Sequence, residues 1–244
     1  MLRRLLPDPG QTTVDEQLEG YRPWEREHED RPFLAVNFAT TLDGRATIEG
    51  VSGPIGSDTD TAMLARLRTR FDAVMIGAGT MRAERYGRLV SKQETRERRE
   101  RLGLSHDPLM VLVSGRLDLP WDAPLFTEGG RVLIFTYSDA EPPETETSVR
   151  VVRHEDRVDL VEAMRYLRRE RGVRALLCEG GPHLHGQLEA EGLVDELFLT
   201  IAPKLNGGSG PPSLVEGELP RVIDLELLWL LEEDGELFAR YGRS

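Results

Sequence analysis

The sequence predicts a three-layer α/β domain whose sheet is mostly parallel and finishes in an antiparallel C-terminal hairpin. Three observations predict it. Short apolar runs alternate with longer amphipathic stretches, the pattern of buried strands and the helices that cross between them. Two of these runs exit into glycines, at Gly77-Ala78-Gly79-Thr80 and at Glu179-Gly180-Gly181-Pro182. The chain then finishes in two extended segments on either side of Glu232-Glu233-Asp234-Gly235, a hairpin-turn signal.

Taken in order, residues 1–30 are rich in Asp, Glu, Arg and Pro and read as an arm packed on the domain, with Tyr21 and Trp24 as anchors. Residues 31–244 form the domain proper. Phe33 to Ala39 has strand composition and leads to the turn pair Asp43-Gly44. Asp58 to Arg70 reads as a helix that Asp58 can cap, with Met63, Leu64 and Leu67 at helical spacing. Ala73 to Ile76 is a buried strand. The charged stretch 91–107 reads as a solvated helix or excursion. Leu109 to Val113 and Val132 to Thr136 are strands, and Glu141 to Thr147 is a loop. Val158 to Arg171 is an amphipathic helix. Val173 to Leu177 and Leu193 to Ala202 are further strands, and 206–220 is a Gly- and Pro-rich loop. The last two extended segments run from Ile223 to Leu231 and from Glu236 to Tyr241.

Composition narrows the function classes. A hydrophobic fraction of 39% and a charged fraction of 30% fit a soluble globular protein, and no apolar stretch approaches the roughly 18 residues that suggest a membrane span. Pro7, Asp8, Pro9 and Gly10 interrupt the leucines at the start, so the expectation is a cytoplasmic protein. One cysteine, Cys178, excludes a multi-cysteine zinc site, and no metal is expected. The balance of 31 basic against 43 acidic residues gives −12, which argues against nucleic acid as a partner. An anionic ligand would call for a locally basic pocket.

The second glycine turn carries the most chemistry. Glycines there let the backbone turn tightly and approach a ligand, and Pro182 suits the first position of a helix. Amides at such a helix start attract a phosphate. The first turn has Gly77 and Gly79 but Arg82 at the third position, so the Gly-x-Gly-x-x-Gly fingerprint is absent.

Three segments together go further: Asn37-Phe38-Ala39-Thr40-Thr41-Leu42-Asp43-Gly44-Arg45, Gly77-Ala78-Gly79-Thr80-Met81-Arg82-Ala83-Glu84, and Glu179-Gly180-Gly181-Pro182 followed by Gly192-Leu193-Val194-Asp195-Glu196-Leu197. From about Arg31 onward the chain resembles the riboflavin-biosynthesis reductase family, the reductase half of RibD-type deaminase-reductases and its single-function form. The resemblance implies a dihydrofolate-reductase-like fold, NADPH as cofactor, and a homodimer. It implies reduction of 5-amino-6-(5-phosphoribosylamino)uracil, with hydride reaching ribose C1′. Alternatives are a related reductase of a pterin such as dihydrofolate or of another carbonyl compound, and a non-catalytic NADPH-binding protein. Deamination would need a Cys-x-x-Cys pair that this chain lacks.

Carried over residue by residue, the resemblance places Ala39 beside NADPH, with Asn37, Thr41, Ser52, Arg68 and Glu179 toward the substrate. Asp43 is either catalytic or a holder of the turn. Pro54 stands where bifunctional members often carry a tryptophan, and Glu84 stands where Asp is expected; both match cofactor positions, as do Gly77, Gly79 and Thr80. Ser114 and Arg116 are placed to meet the adenosine 2′-phosphate. Gly180, Gly181, Pro182, His183, Leu184, His185 and Gly186 match the cofactor-phosphate loop. Arg68 is expected to neutralise substrate phosphate. After Arg85 the family usually reads Asp-Pro and then a leucine and an arginine, whereas this chain reads Tyr86-Gly87-Arg88-Leu89-Val90-Ser91. Arg88, or the stretch from Arg96 to Arg101, is left to complete the phosphate clamp.

Overall fold

The structure, a computed structural model, describes all residues except 209, 211 and 244. Its strands are β1 (Arg3–Leu6), β2 (Gly10–Gln11), β3 (Phe33–Thr41), β4 (Ala73–Gly77), β5 (Leu109–Val113), β6 (Arg131–Thr136), β7 (Ser148–Arg153), β8 (Ala175–Cys178), β9 (Glu196–Ala202), β10 (Leu225–Glu233) and β11 (Glu236–Arg243). Its helices are α1 (Val14–Glu19), α2 (Asp58–Arg68), α3 (Ala78–Glu84), α4 (Gln93–Arg101), α5 (Pro124–Thr127), α6 (Leu160–Arg171) and α7 (Pro182–Ala190). A 3-10 turn spans Pro23–Arg26.

All the strands join one sheet in the order β2-β1-β10-β11-β9-β3-β8-β4-β5-β6-β7. From β9 to β7 neighbouring strands are parallel. From β9 outward to β2 they are antiparallel. Alternation along each parallel strand splits the core in two, because successive side chains point to opposite faces. Phe33, Ala35, Val74, Ile76 and Leu112 pack against Met63 and Leu67 of α2, Met81 of α3 and Phe126 of α5. Leu34, Val36, Ala73, Met75 and Val111 pack against Met164 and Leu167 of α6 and Leu188 of α7. The three layers and the mostly parallel sheet are as the sequence predicts.

Local chemistry explains the helix starts. Ser57, in place of the expected Asp58, caps α2 by accepting from the Thr59 and Asp60 amides, and Asp159 caps α6 by accepting from the Glu162 amide. Strand β9 begins three residues later than expected, since Asp195 leaves the sheet to accept from the Leu34 amide and from Arg31. The hairpin turns at Asp234 and Gly235, whose φ values of 50° and 82° are both left-handed.

Three expectations change. Residues 1–30 are more than a packed arm: Tyr21 and Trp24 are buried as expected, but β1 also pairs with β10 and extends the sheet. Strand β7 has no counterpart in the sequence reading. The charged stretch does form a helix, α4, yet Arg99 within it is fully buried rather than solvated. Its guanidinium donates to the carbonyls of Arg68, Phe71 and Ser105, so it ties the end of α2 to the connection after α4.

Candidate functional site

A cleft of about 1190 Å³ lies across the C-terminal ends of the parallel strands and is lined from both faces of the sheet. This is where open α/β sheets bind ligands. The two glycine turns form its floor. Gly77 at the end of β4 donates its amide to the Gly180 carbonyl at 2.8 Å, so the two turns touch. A Cβ on Gly181 would lie 2.9 Å from the Thr80 hydroxyl oxygen, and one on Gly180, at φ +97°, would lie 3.0 Å from the Phe38 ring. Side chains at either position would close the approach. Helices α3 and α7 start from Gly77 and Gly181 with no side-chain cap, which leaves first-turn amides for an outside acceptor. These glycines and bare helix starts suit the pyrophosphate of a dinucleotide.

One wall of the cleft comes from β3, α2 and the connection after α3. Asn37 and Ala39 project from β3 into the cleft, on the face that packs against α2. Glu179 follows β8; its carboxylate is nearly buried and accepts from Arg68 Nε at 2.7 Å, Arg68 Nη2 at 2.6 Å and the Tyr86 hydroxyl at 2.9 Å. Ser52 donates its amide and hydroxyl to Glu84 at 2.7 and 2.8 Å, which ties the loop before α2 to the end of α3. At the opposite end Val113, Gly115, Tyr137, Arg157, Val158 and Val161 line an extension between the exits of β5 and β6 and the start of α6.

Of the residues singled out from the sequence, Asn37, Ala39, Ser52, Gly77, Gly79, Thr80, Glu84, Glu179, Gly181, Pro182, His183 and Leu184 line this cleft. The others lie outside its lining. Thr41 and Asp43 form a clasp: Asp43 accepts from the Thr41 hydroxyl at 2.6 Å and from the amides of Asn206 and Gly207 at 3.1 and 2.8 Å. These bonds, that of Thr41 foremost, lower the Asp43 pKa to about 2. Pro54 and Ile55 offer their carbonyls to Lys204 Nζ, both at 2.7 Å. Ser114 is buried with its amide on the Phe135 carbonyl, and Arg116 is exposed. Arg88 pairs with Asp107 at 3.1 Å. Gly180 lies beneath the floor against Phe38. His185 is buried, stacked on Phe38 and bonded to the Leu214 carbonyl, while Gly186 packs on the Glu216 carbonyl. Both belong to the join between α7 and the loop over it.

The lining also departs from the expected basic pocket. Among the described residues its carboxylates are Glu49, Asp60, Glu84, Asp159, Glu179 and Glu191, against one guanidinium, Arg157, and His183. Among the described residues of the lining, the cationic or titratable donors open to an anion are therefore Arg157 and His183, beside hydroxyls and backbone amides. Sequence reasoning missed Asp60, Tyr86, Tyr137 and Arg157. An acidic residue in the first turn of a helix reads as a complement to its dipole, and Arg157 stands in an ordinary charged loop. Cys178 is fully buried, and burial pushes its thiol up to about 12, so it is unreactive. Among the described residues no helix is long and apolar enough to cross a membrane.

Comparison with known proteins agrees with this geometry. Residues 32–234 match the RibD C-terminal domain family. A 2,5-diamino-6-ribosylamino-4(3H)-pyrimidinone 5′-phosphate reductase of Archaeoglobus fulgidus is 34% identical over 220 residues, 87% of this chain and 100% of the relative. The protein of the same name from Methanothermobacter thermautotrophicus is 30% identical over 193 residues, 77% of this chain and 85% of that protein. A crystal structure of a pyrimidine reductase-like protein from Corynebacterium diphtheriae superposes with a TM-score of 0.79 at 27% identity, covering 96% of this chain and 99% of that one. With the cleft, the paired glycine turns and these likenesses together, the chain belongs to the RibD C-terminal domain family, the reductases of riboflavin biosynthesis.

Proposed function

We propose that this chain is an NADPH-dependent reductase of a ribosylaminopyrimidine 5′-phosphate, converting the ribosylamino group to a ribitylamino group. The observation that carries the reading is the meeting, in one cleft, of the two glycine turns with Asn37, Ala39 and Glu179. Bound NADPH would supply the hydride. The protein's part is to hold and align. Amides at the starts of α3 and α7 take the pyrophosphate, and Ala39 is small enough for a nicotinamide ring to lie against β3. The Asn37 amide can both donate to and accept from a pyrimidine edge. Glu179, fixed by Arg68 and Tyr86, presents a carboxylate of set orientation to the ribose side.

The relatives' names put an amino group at ring carbon 2, where the uracil compound has oxygen; the reacting C1′ is common to both. Two assays of NADPH oxidation, one with each ribosylaminopyrimidine phosphate, test the proposal. Turnover of either supports it, and turnover of neither rejects it. NADPH over NADH is supported by Arg157, the cleft's one guanidinium, at the end expected to hold the adenosine. A homodimer is supported by the exposed Leu42 and Leu205 on neighbouring loops, 65% and 78% accessible; light scattering on the purified protein tests it. A cytoplasmic setting is supported by its reading as a biosynthetic enzyme that draws on NADPH.

A pterin reductase is the second reading. It is favoured by the engagement of Arg88 with Asp107, outside the cleft lining. Faster turnover of dihydrofolate than of either phosphorylated pyrimidine would establish it.

A further inference from the structure

We propose that Asp60 is the proton donor of the reduction, delivering a proton to the nitrogen attached to C1′ as hydride reaches that carbon. The inference rests on the reductase reading above. Ring opening of a ribosylamine gives a C1′=N imine. Hydride forms the new C1′–H bond, the π pair of C1′=N moves onto nitrogen, and nitrogen takes the carboxyl proton. NADP⁺ and the Asp60 carboxylate remain, and water at the cleft mouth restores the proton.

Placement supports the role. Asp60 stands in the first turn of α2 with its side chain in the cleft wall. Thr200 Oγ1 donates to its Oδ1 at 2.7 Å, leaving the second oxygen to carry a proton. Thr200 pairs with Ala39 in the β3–β9 register, and residues opposite each other share a sheet face. The carboxyl is therefore held next to the strand position assigned to the nicotinamide. Gly56 makes the room, since a Cβ there would lie 2.2 Å from Asp60 Oδ2.

Chemistry singles out the same residue. Glu179 is engaged by both arms of Arg68 and by Tyr86, and Glu84 by Ser52. Burial, followed by the Glu179 charge, pushes the Tyr86 hydroxyl well above its usual range, so it holds its proton. Glu49, Asp159, His183 and Glu191 are exposed, and Asp159 is taken up in capping α6. Asp60 forms no ion pair among the described residues, and burial raises its pKa against the opposing effect of the Thr200 hydrogen bond. Glu236 of β11, bonded to Ser57, is a neighbouring carboxyl that burial and, less, the Asp60 charge push upward, with Lys204 acting on it in the opposite sense.

The test compares the wild-type chain with Asp60→Asn and Thr200→Val across pH, using the ribosylaminopyrimidine phosphate it turns over. Asp60→Asn is expected to lower kcat about 10²-fold, to lose the alkaline fall of the wild-type profile, and to leave NADPH affinity by fluorescence titration unchanged. Thr200→Val removes a bond that lowers the Asp60 pKa, so its alkaline limb should move to higher pH. Retention of kcat within about twofold, or an unchanged alkaline limb in Asp60→Asn, overturns the assignment. Absence of wild-type turnover would instead overturn the reductase reading on which it rests.

Discussion

Arg68 grips Glu179 with two parallel hydrogen bonds, Nε to Oε1 at 2.7 Å and Nη2 to Oε2 at 2.6 Å, while its guanidinium lies 5.6 Å from the centre of the Tyr86 ring. The fork is filled by the carboxylate, so the expectation is an arginine that acts through Glu179 rather than on substrate phosphate. Removing it strands a buried charge. Arg68→Ala should cost about 3 kcal/mol in denaturant unfolding and lower kcat/KM equally for a phosphorylated substrate and its dephosphorylated analogue. A larger loss for the phosphorylated compound would show that the fork turns to phosphate in the complex.

Among the described residues that line the cleft, Arg157 is the one guanidinium, set against six carboxylates. A charge-assisted bond to a phosphate contributes about 1.5–3 kcal/mol. Arg157→Ala should therefore weaken NADPH binding about 10- to 100-fold and leave NADH binding unchanged. Paired fluorescence titrations check it; equal losses for the two cofactors would remove Arg157 from the 2′-phosphate.

Gly180 combines a φ of +97° with a Phe38 ring atom 3.0 Å from any added Cβ. Gly180→Ala is expected to destabilise the fold by about 1–3 kcal/mol, a fall in Tm of about 2–4 °C per kcal/mol for a chain of this size. It should also weaken NADPH binding, since Phe38 or the turn must shift. Calorimetry with and without cofactor separates the two effects.

Asp43 predicts an acid-sensitive clasp. Its pKa of about 2 lies below the ordinary aspartate value because the Thr41 hydroxyl and the Asn206 and Gly207 amides donate to the charged form. A lowered native pKa contributes stability that is fully present above about pH 4 and is lost as pH falls toward 2. Asp43→Asn should increase hydrogen exchange at the Asn206 and Gly207 amides at neutral pH, and the difference from wild type should shrink below about pH 4. A difference that persists unchanged in acid would refute the clasp.

The parts of the fold legible in the sequence were those set by short-range rules. Continuous apolar runs fixed β3, β4 and β5, and the glycine turns announced themselves because backbone freedom at Gly180 and Gly181 is a local requirement. Strand β7 stayed hidden because Arg150 and Arg153 interrupt its valines, as suits a strand at the sheet edge. Arg99 was hidden among charged neighbours; only its three carbonyl partners distinguish it. The site divides in the same way. Ala39, Thr80 and Gly181 were found by position, but the pairing of Arg68 with Glu179 spans 111 residues, and Asp60 gains its meaning from Thr200 on a distant strand. His185 and Ser114 were misplaced because neighbours in sequence on a helix or turn face different ways.

The two ends of the sheet bear on assembly. One terminates in β2, only two residues long, and the other in β7, whose Arg153 reaches back to the carbonyls of Ser138 and Ala140. Neither end offers a long bare ladder to a foreign strand, and short or charged margins resist edge-to-edge growth. The homodimer proposed above would accordingly use protruding loops such as those bearing Leu42 and Leu205 in place of edge strands.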